Sequence, residues 1–251
     1  MNFPKRIIKE GEKDTKVVKA IQQRLIELGI GNLQGTGVFG AKTKSAVKLF
    51  QSTHRDRFGN LLQADGKVGS ITWEALFGPD TIPVNDAPIS GLLDEAIKFA
   101  LTQVGVMEDP VGSNKGPEVN QYLASVGLPP GQFWCAAFVY FCFDKAAQKL
   151  DRKNPLVKTG GSLDHWNRTT AKKIKAADAL NNPALIKPGH IFIIDHGGGH
   201  GHTGIVQKVE GGFIHTIEGN SNIDGTSNGI GVFNLPNRKI ASVNRGYIEY
   251  K

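Results

Sequence analysis

Apolar residues in this chain change their spacing partway along it. From Asp14 to about Leu150 they recur three and four apart, whereas from Ile191 to Tyr250 they come in short runs broken by glycines. Helices first and strands after them specify an α+β protein with an antiparallel sheet. One stretch interrupts the helical part. Gly78-Pro79-Asp80-Thr81-Ile82-Pro83-Val84-Asn85-Asp86-Ala87-Pro88 contains three prolines and no apolar period, so residues 81–90 read as a Pro-rich linker. Residues 1–80 then form one domain and residues 91–251 a second.

The first domain reads as small and all-α. Asp14 can cap a helix in which Val17, Ile21, Leu25 and Leu28 recur, and Gly29 ends it. Two later stretches echo one another. Gly37-Val38-Phe39-Gly40 leads to Thr43, Ala46, Val47 and Phe50, and Gly66-Lys67-Val68-Gly69 leads to Thr72, Ala75, Leu76 and Phe77. Each is a glycine turn followed by a short amphipathic helix, giving three helices around one core. In the second domain, helices are expected from Leu93 to Gly105, from Val119 to Gly127 and from Cys135 to about Leu150. Strands are expected near 191–194, 204–209, 213–217, 230–233 and 247–250.

Three chemical residue types fall at element boundaries in the second domain. Cys135 opens a helix in Phe133-Trp134-Cys135-Ala136-Ala137-Phe138-Val139, His202 enters a strand in Gly201-His202-Thr203-Gly204-Ile205-Val206, and Glu218 and Asn220 end the next strand. A thiol reacts as its thiolate, which the N–H groups and dipole of a helix start favour. A neighbouring imidazole takes the proton and later protonates a leaving amine, and a third group orients the ring. The order cysteine, histidine, Glu/Asn fits acyl transfer from an amide. Cys142 lies seven residues on, about 10.5 Å along one helix, too far to bridge Cys135. His196, His200 and His202 sit in a glycine-rich run, but no second ligand cluster accompanies them. No metal and no cofactor are expected.

The motifs at Trp134-Cys135-Ala136-Ala137-Phe138-Val139, Pro188-Gly189-His190-Ile191-Phe192, Gly201 to Val206 and Ile217-Glu218-Gly219-Asn220 together resemble the CHAP family, papain-like cysteine- and histidine-dependent amidohydrolases/peptidases that cut bacterial peptidoglycan. The resemblance runs from about Leu92 to Tyr250. It implies Cys135 as nucleophile, His202 as base, Glu218 as imidazole orienter and Asn220 as a supporting polar residue. Some relatives carry an aspartate-rich calcium loop before the cysteine, which Val111-Gly112-Ser113-Asn114-Lys115-Gly116 lacks. Residues 11 to 78 are similar to the three-helix peptidoglycan-binding domain.

Charge and hydropathy limit the remaining readings. Residues 1–80 hold 13 Lys/Arg against 8 Asp/Glu, a surplus that suits an anionic polymer. No nucleic-acid-binding motif accompanies it. No run of about 18 apolar residues is present, so no membrane insertion is expected, and Met1 to Glu10 has no apolar signal-peptide core. The two resemblances together imply a peptidoglycan hydrolase, expected to be a monomer made in the cytoplasm. It would reach the wall by holin-type release as a phage endolysin, or by specialised secretion as an antibacterial effector. It would be an N-acetylmuramoyl-L-alanine amidase or a stem or cross-bridge endopeptidase. A non-catalytic wall-binding protein is the rival from another class. Trp166 is placed either at a substrate cleft or as an aromatic of the core or the surface.

The hairpin carrying His202 and Glu218 imposes a further condition. A plain two-residue turn at Gly211-Gly212 pairs 205 with 218 and sends Glu218 and Asn220 to the face opposite His202. Shifting the register by one residue reverses this. An odd-length loop or a β-bulge, with a glycine at positive φ, is therefore expected.

Overall fold

The computed structural model describes residues 1–84, 87–225 and 228–251. Asn85 and Asp86 of the expected linker lie outside the described residues. The chain forms two compact units, one of residues 1–84 with 180–183 and one of the remainder. The first holds helices α1 (Thr15–Glu27), α2 (Ala41–Thr53) and α3 (Ser70–Phe77). The second begins with α4 (Gly91–Thr102), α5 (Pro117–Ser125), α6 (Cys135–Lys149) and α7 (Ser162–Arg168). It continues with β1 (Lys172–Lys175), α8 (Ala176–Asn181, whose last two residues belong to the first unit), β2 (Ile191–Gly197), β3 (His200–Glu210), β4 (Phe213–Ser221), β5 (Gly231–Lys239) and β6 (Gly246–Glu249).

In the first unit Asp14 caps α1, its carboxylate accepting from the N–H groups of Lys16 and Val17. The apolar stripe of α1 packs with Val47, Phe50, Trp73 and Leu76. The echo between the two glycine turns has a cause in two buried glutamines. Gln22 accepts from the Gly37 N–H at 2.8 Å and donates to the Val38 carbonyl at 3.0 Å and to Thr43 at 2.9 Å. Gln51 accepts from the Gly66 N–H at 2.9 Å and donates to the Lys67 carbonyl at 2.8 Å and to Thr72 at 3.2 Å. Each glutamine thus satisfies a turn that approaches from the next repeat, and both turn glycines have positive φ. Ile82 is buried in this core, so the first unit extends into the stretch read as linker.

In the second unit the six strands form one antiparallel sheet in the order β1-β6-β2-β3-β4-β5. The core unites Ala137, Phe138, Phe141 and Cys142 of α6 with Ile193, Ile205, Ile217 and Val232 of the sheet. Gly219 permits this packing. A Cβ there would lie 2.7 Å from atoms of Phe138 and Trp134, so only glycine lets the start of α6 sit against β4. Several elements differ from the sequence reading. α7, β1 and α8 were not anticipated; β3 begins at His200, so His202 lies inside a strand; and β5 runs on to Lys239.

The β3–β4 hairpin combines both alternatives posed for it. Glu210 pairs with Phe213 across a two-residue Gly211-Gly212 turn, with Gly211 at φ +62°; a register shift between Val206 and Lys208 then leaves Gln207 as the bulged residue. Beyond it Ile205 pairs with Ile217. The shift brings Glu218 against Gly204, where a Cβ would stand 2.8 Å from the Glu218 Cγ.

Gly219→Ala is expected to destabilise the protein by about 1–3 kcal/mol through overpacking, read as a lowered urea midpoint. An unchanged midpoint would show that α6 does not depend on this close approach.

Candidate active site

Cys135 is the first residue of α6, and no side chain caps that helix. The N–H groups of its first turn have no intrahelical acceptor, so they remain free to face a negative charge. Trp134 precedes the cysteine and is anchored from outside the helix. Its indole N–H donates to the buried Glu108 at 2.9 Å, and the other Glu108 oxygen accepts from the Asn114 N–H at 3.0 Å. A buried acid 26 residues upstream therefore sets where the cysteine helix begins.

Cys135 is 6% exposed and His202 1% exposed. Nε2 of His202 donates to Oε2 of Glu218 at 2.8 Å, leaving Nδ1 as the ring nitrogen available to the thiol. Nδ1 is buried without a well-aligned hydrogen bond, although the thiol acts on the ring. Such contacts are often loose until substrate tightens them. Burial opposes charge on His202, but the nearby Cys135 thiol, the hydrogen bond to Glu218 and the attraction of both groups outweigh it, raising its pKa to about 9.

Glu218 is fully buried. Burial alone would raise its pKa, yet His202 and Arg238 hold it well below the usual carboxylate range. Arg238 donates through Nε to Oε1 and through Nη2 to Oε2, each at 2.6 Å. The Thr216 hydroxyl donates to Oε1, and Ser221 reaches Oε2 at 3.3 Å. Asn220 sits two residues on in the left-handed region at φ +54°. It is buried on the same strand, but among the described residues its amide oxygen has no partner, and it makes no hydrogen bond to His202. Of the four candidates, Cys135, His202 and Glu218 thus form one chain of interactions, and Asn220 stands beside it.

The other sulfur and nitrogen groups are separate from this chain. Cys142 is buried and free, and burial pushes its thiol well up. His200 meets the exposed Phe133 edge-on, with ring centroids 6.3 Å apart. Among the described residues no group of three His, Cys, Asp or Glu side chains is placed to hold a metal, and no helix is long and apolar enough to cross a membrane. Trp166 packs at the margin of the core, with Lys173 and Arg245 near its ring. Sequence reasoning missed Arg238 and Glu108. A buried ion needs a partner, but nothing in the sequence showed that either residue is buried.

Family models match two stretches of the chain, a putative peptidoglycan binding domain over residues 15–76 and the CHAP domain over residues 127–220. Neither a curated protein nor a solved structure matches it. The chain therefore joins a peptidoglycan-binding domain to a CHAP domain, a pairing that supports a cell-wall hydrolase with peptidoglycan as its partner.

The raised pKa of His202 has a defined sign. A histidine charged more readily in the fold than in the unfolded chain adds stability below its unfolded pKa, about 6.5, and loses it as pH rises through about 9. Glu218→Gln removes the carboxylate's attraction and is expected to lower the His202 titration midpoint, followed by NMR of its ring protons. A midpoint unmoved by the change would show that Glu218 does not stabilise the imidazolium.

Proposed function

We propose that the protein hydrolyses an amide bond of bacterial peptidoglycan through a thiol mechanism. The observation that carries this reading is the interaction chain Cys135–His202–Glu218 at the uncapped start of α6. The Cys135 sulfur, its proton passed to His202, attacks the carbonyl carbon of the scissile amide. The developing oxyanion meets the free N–H groups of the first turn of α6. The tetrahedral intermediate collapses as His202 gives its proton to the departing amine, leaving a thioester on Cys135. His202 then takes a proton from water, which attacks the thioester, and the acid leaves as the thiol re-forms. Glu218 holds the imidazole in the tautomer and orientation both steps need. Asn220 is retained as a supporting polar group, because its buried amide oxygen lacks a partner.

The first unit anchors the enzyme on the wall and raises its local concentration at an insoluble substrate. The scissile bond is the muramoyl–alanine amide or a peptide bond of the stem or cross-bridge. A phage endolysin acting as a monomer is the setting this reading adopts.

Cys135→Ala is expected to lower release of fragments from purified walls by on the order of 10³-fold or more with the fold retained, while Cys142→Ala keeps most activity. Equal losses in two folded variants would move the nucleophile elsewhere. Mass spectrometry of the released muropeptides identifies the bond from its new amino terminus. Residues 1–84 alone are expected to sediment with purified peptidoglycan; a fragment that stays in solution at low salt would remove the anchoring role.

A further inference from the structure

Arg238 has no place in the three-residue mechanism, yet it makes more contacts with Glu218 than His202 does. Its side chain is 10% exposed. Both carboxylate oxygens receive a guanidinium nitrogen at 2.6 Å, a two-point fork. Nη2 also donates to the Gly225 carbonyl at 2.8 Å, and the guanidinium carbon lies 5.0 Å from the centroid of the Phe192 ring. Phe192 in turn neighbours the His202 ring, with centroids 6.0 Å apart. The arginine is thus fixed from three sides.

We infer that Arg238 is a positioning residue, whose fork fixes the plane of the Glu218 carboxylate so that Oε2 meets Nε2 of His202. This inference rests on the hydrolase reading above. Glu218 has few other restraints. Ser221 is distant for a hydrogen bond, and Thr216 grips only Oε1. A planar guanidinium sets an angle as well as a distance, which a single-point donor does not. It also keeps the buried carboxylate ionised, and so able to accept from the imidazole. The charged and titratable groups around the pair are His202 on β3, His196 on β2, which feels both His202 and Arg238, Tyr247 on β6, which feels Arg238, and Cys135 on α6 through His202.

The test uses the full chain carrying Arg238→Gln, Arg238→Lys, Glu218→Gln or the Arg238→Gln/Glu218→Gln pair. Hydrolysis of purified walls and alkylation of Cys135 by iodoacetamide are each followed across pH. Arg238→Gln is expected to lower kcat by on the order of 10²-fold with KM little changed. The acid limb of the profile should move up by about one pH unit or more as Glu218 loses its cation. Arg238→Lys should hold the acid limb near that of the parent and recover kcat only in part. In the Glu218→Gln background Arg238→Gln should add little further loss. An undiminished kcat in Arg238→Gln, or in Arg238→Lys should the glutamine variant not fold, overturns the proposal. A rise in KM alone does so too, as does a full additive loss in the double variant. Alkylation separates the two readings. If the parent releases nothing from walls while the acid limb of alkylation still depends on Arg238, the hydrolase reading fails and the clamp stands. If walls are cut and neither kcat nor the limb responds, the clamp fails alone.

Discussion

A buried carboxylate flanked by two buried cations organises the second unit. Glu218 on β4 meets His202 on β3 and Arg238 near the end of β5. None of the three could enter the sheet alone, because an unpaired ion there costs several kcal/mol. Together they satisfy one another, and the strands that carry them must therefore keep a fixed register. The Gln207 bulge, the missing side chain at Gly204 and the turn at Gly211-Gly212 are the local means by which that register is reached. A family of small distortions follows from one electrostatic requirement.

Cys135 is delivered by a different force. α6 is apolar on the face that meets the sheet, and its Phe138 and Phe141 place it by burial rather than by charge. Packing alone sets the depth of a helix loosely along its own axis. The Glu108–Trp134 hydrogen bond adds a stop at the N-terminus, and Gly219 lets the first turn come close to β4. The thiol and the imidazole therefore meet because a hydrophobic helix and a polar strand pair are each held independently.

Much of this was legible in the sequence, and the reasons differ by element. Cys135 and His202 could be read because each sits where an apolar pattern begins, and Glu218 from its place on the next strand and from the family resemblance, although strand alternation through a plain turn set it on the face opposite His202. The same alternation demanded an irregularity without saying where it falls; the structure puts it at Gln207 rather than in the turn. Arg238 was hidden because β5 shifts register before it, between the partners of Ile214 and Thr216, so no simple count of residues leads from it to Glu218. β1 was hidden because Lys172-Lys173-Ile174-Lys175 has a single apolar residue. Such lysine-rich sequence suits an edge strand, which must discourage pairing with other chains. Gln22 and Gln51 were within reach, since each stands fifteen residues before its glycine, but polar residues on an amphipathic helix attract attention only when their burial is known.

The bulge at Gln207 gives this hairpin something like a reading frame. On its turn side the strands follow the phase set by Gly211-Gly212, and on its other side they follow the phase that the site requires. Losing a single residue between them would invert every side chain beyond the deletion, much as a lost nucleotide garbles the codons after it. Two compensating changes on opposite sides of the bulge would restore the sense. Length changes in this segment should therefore be accepted in pairs and rejected singly.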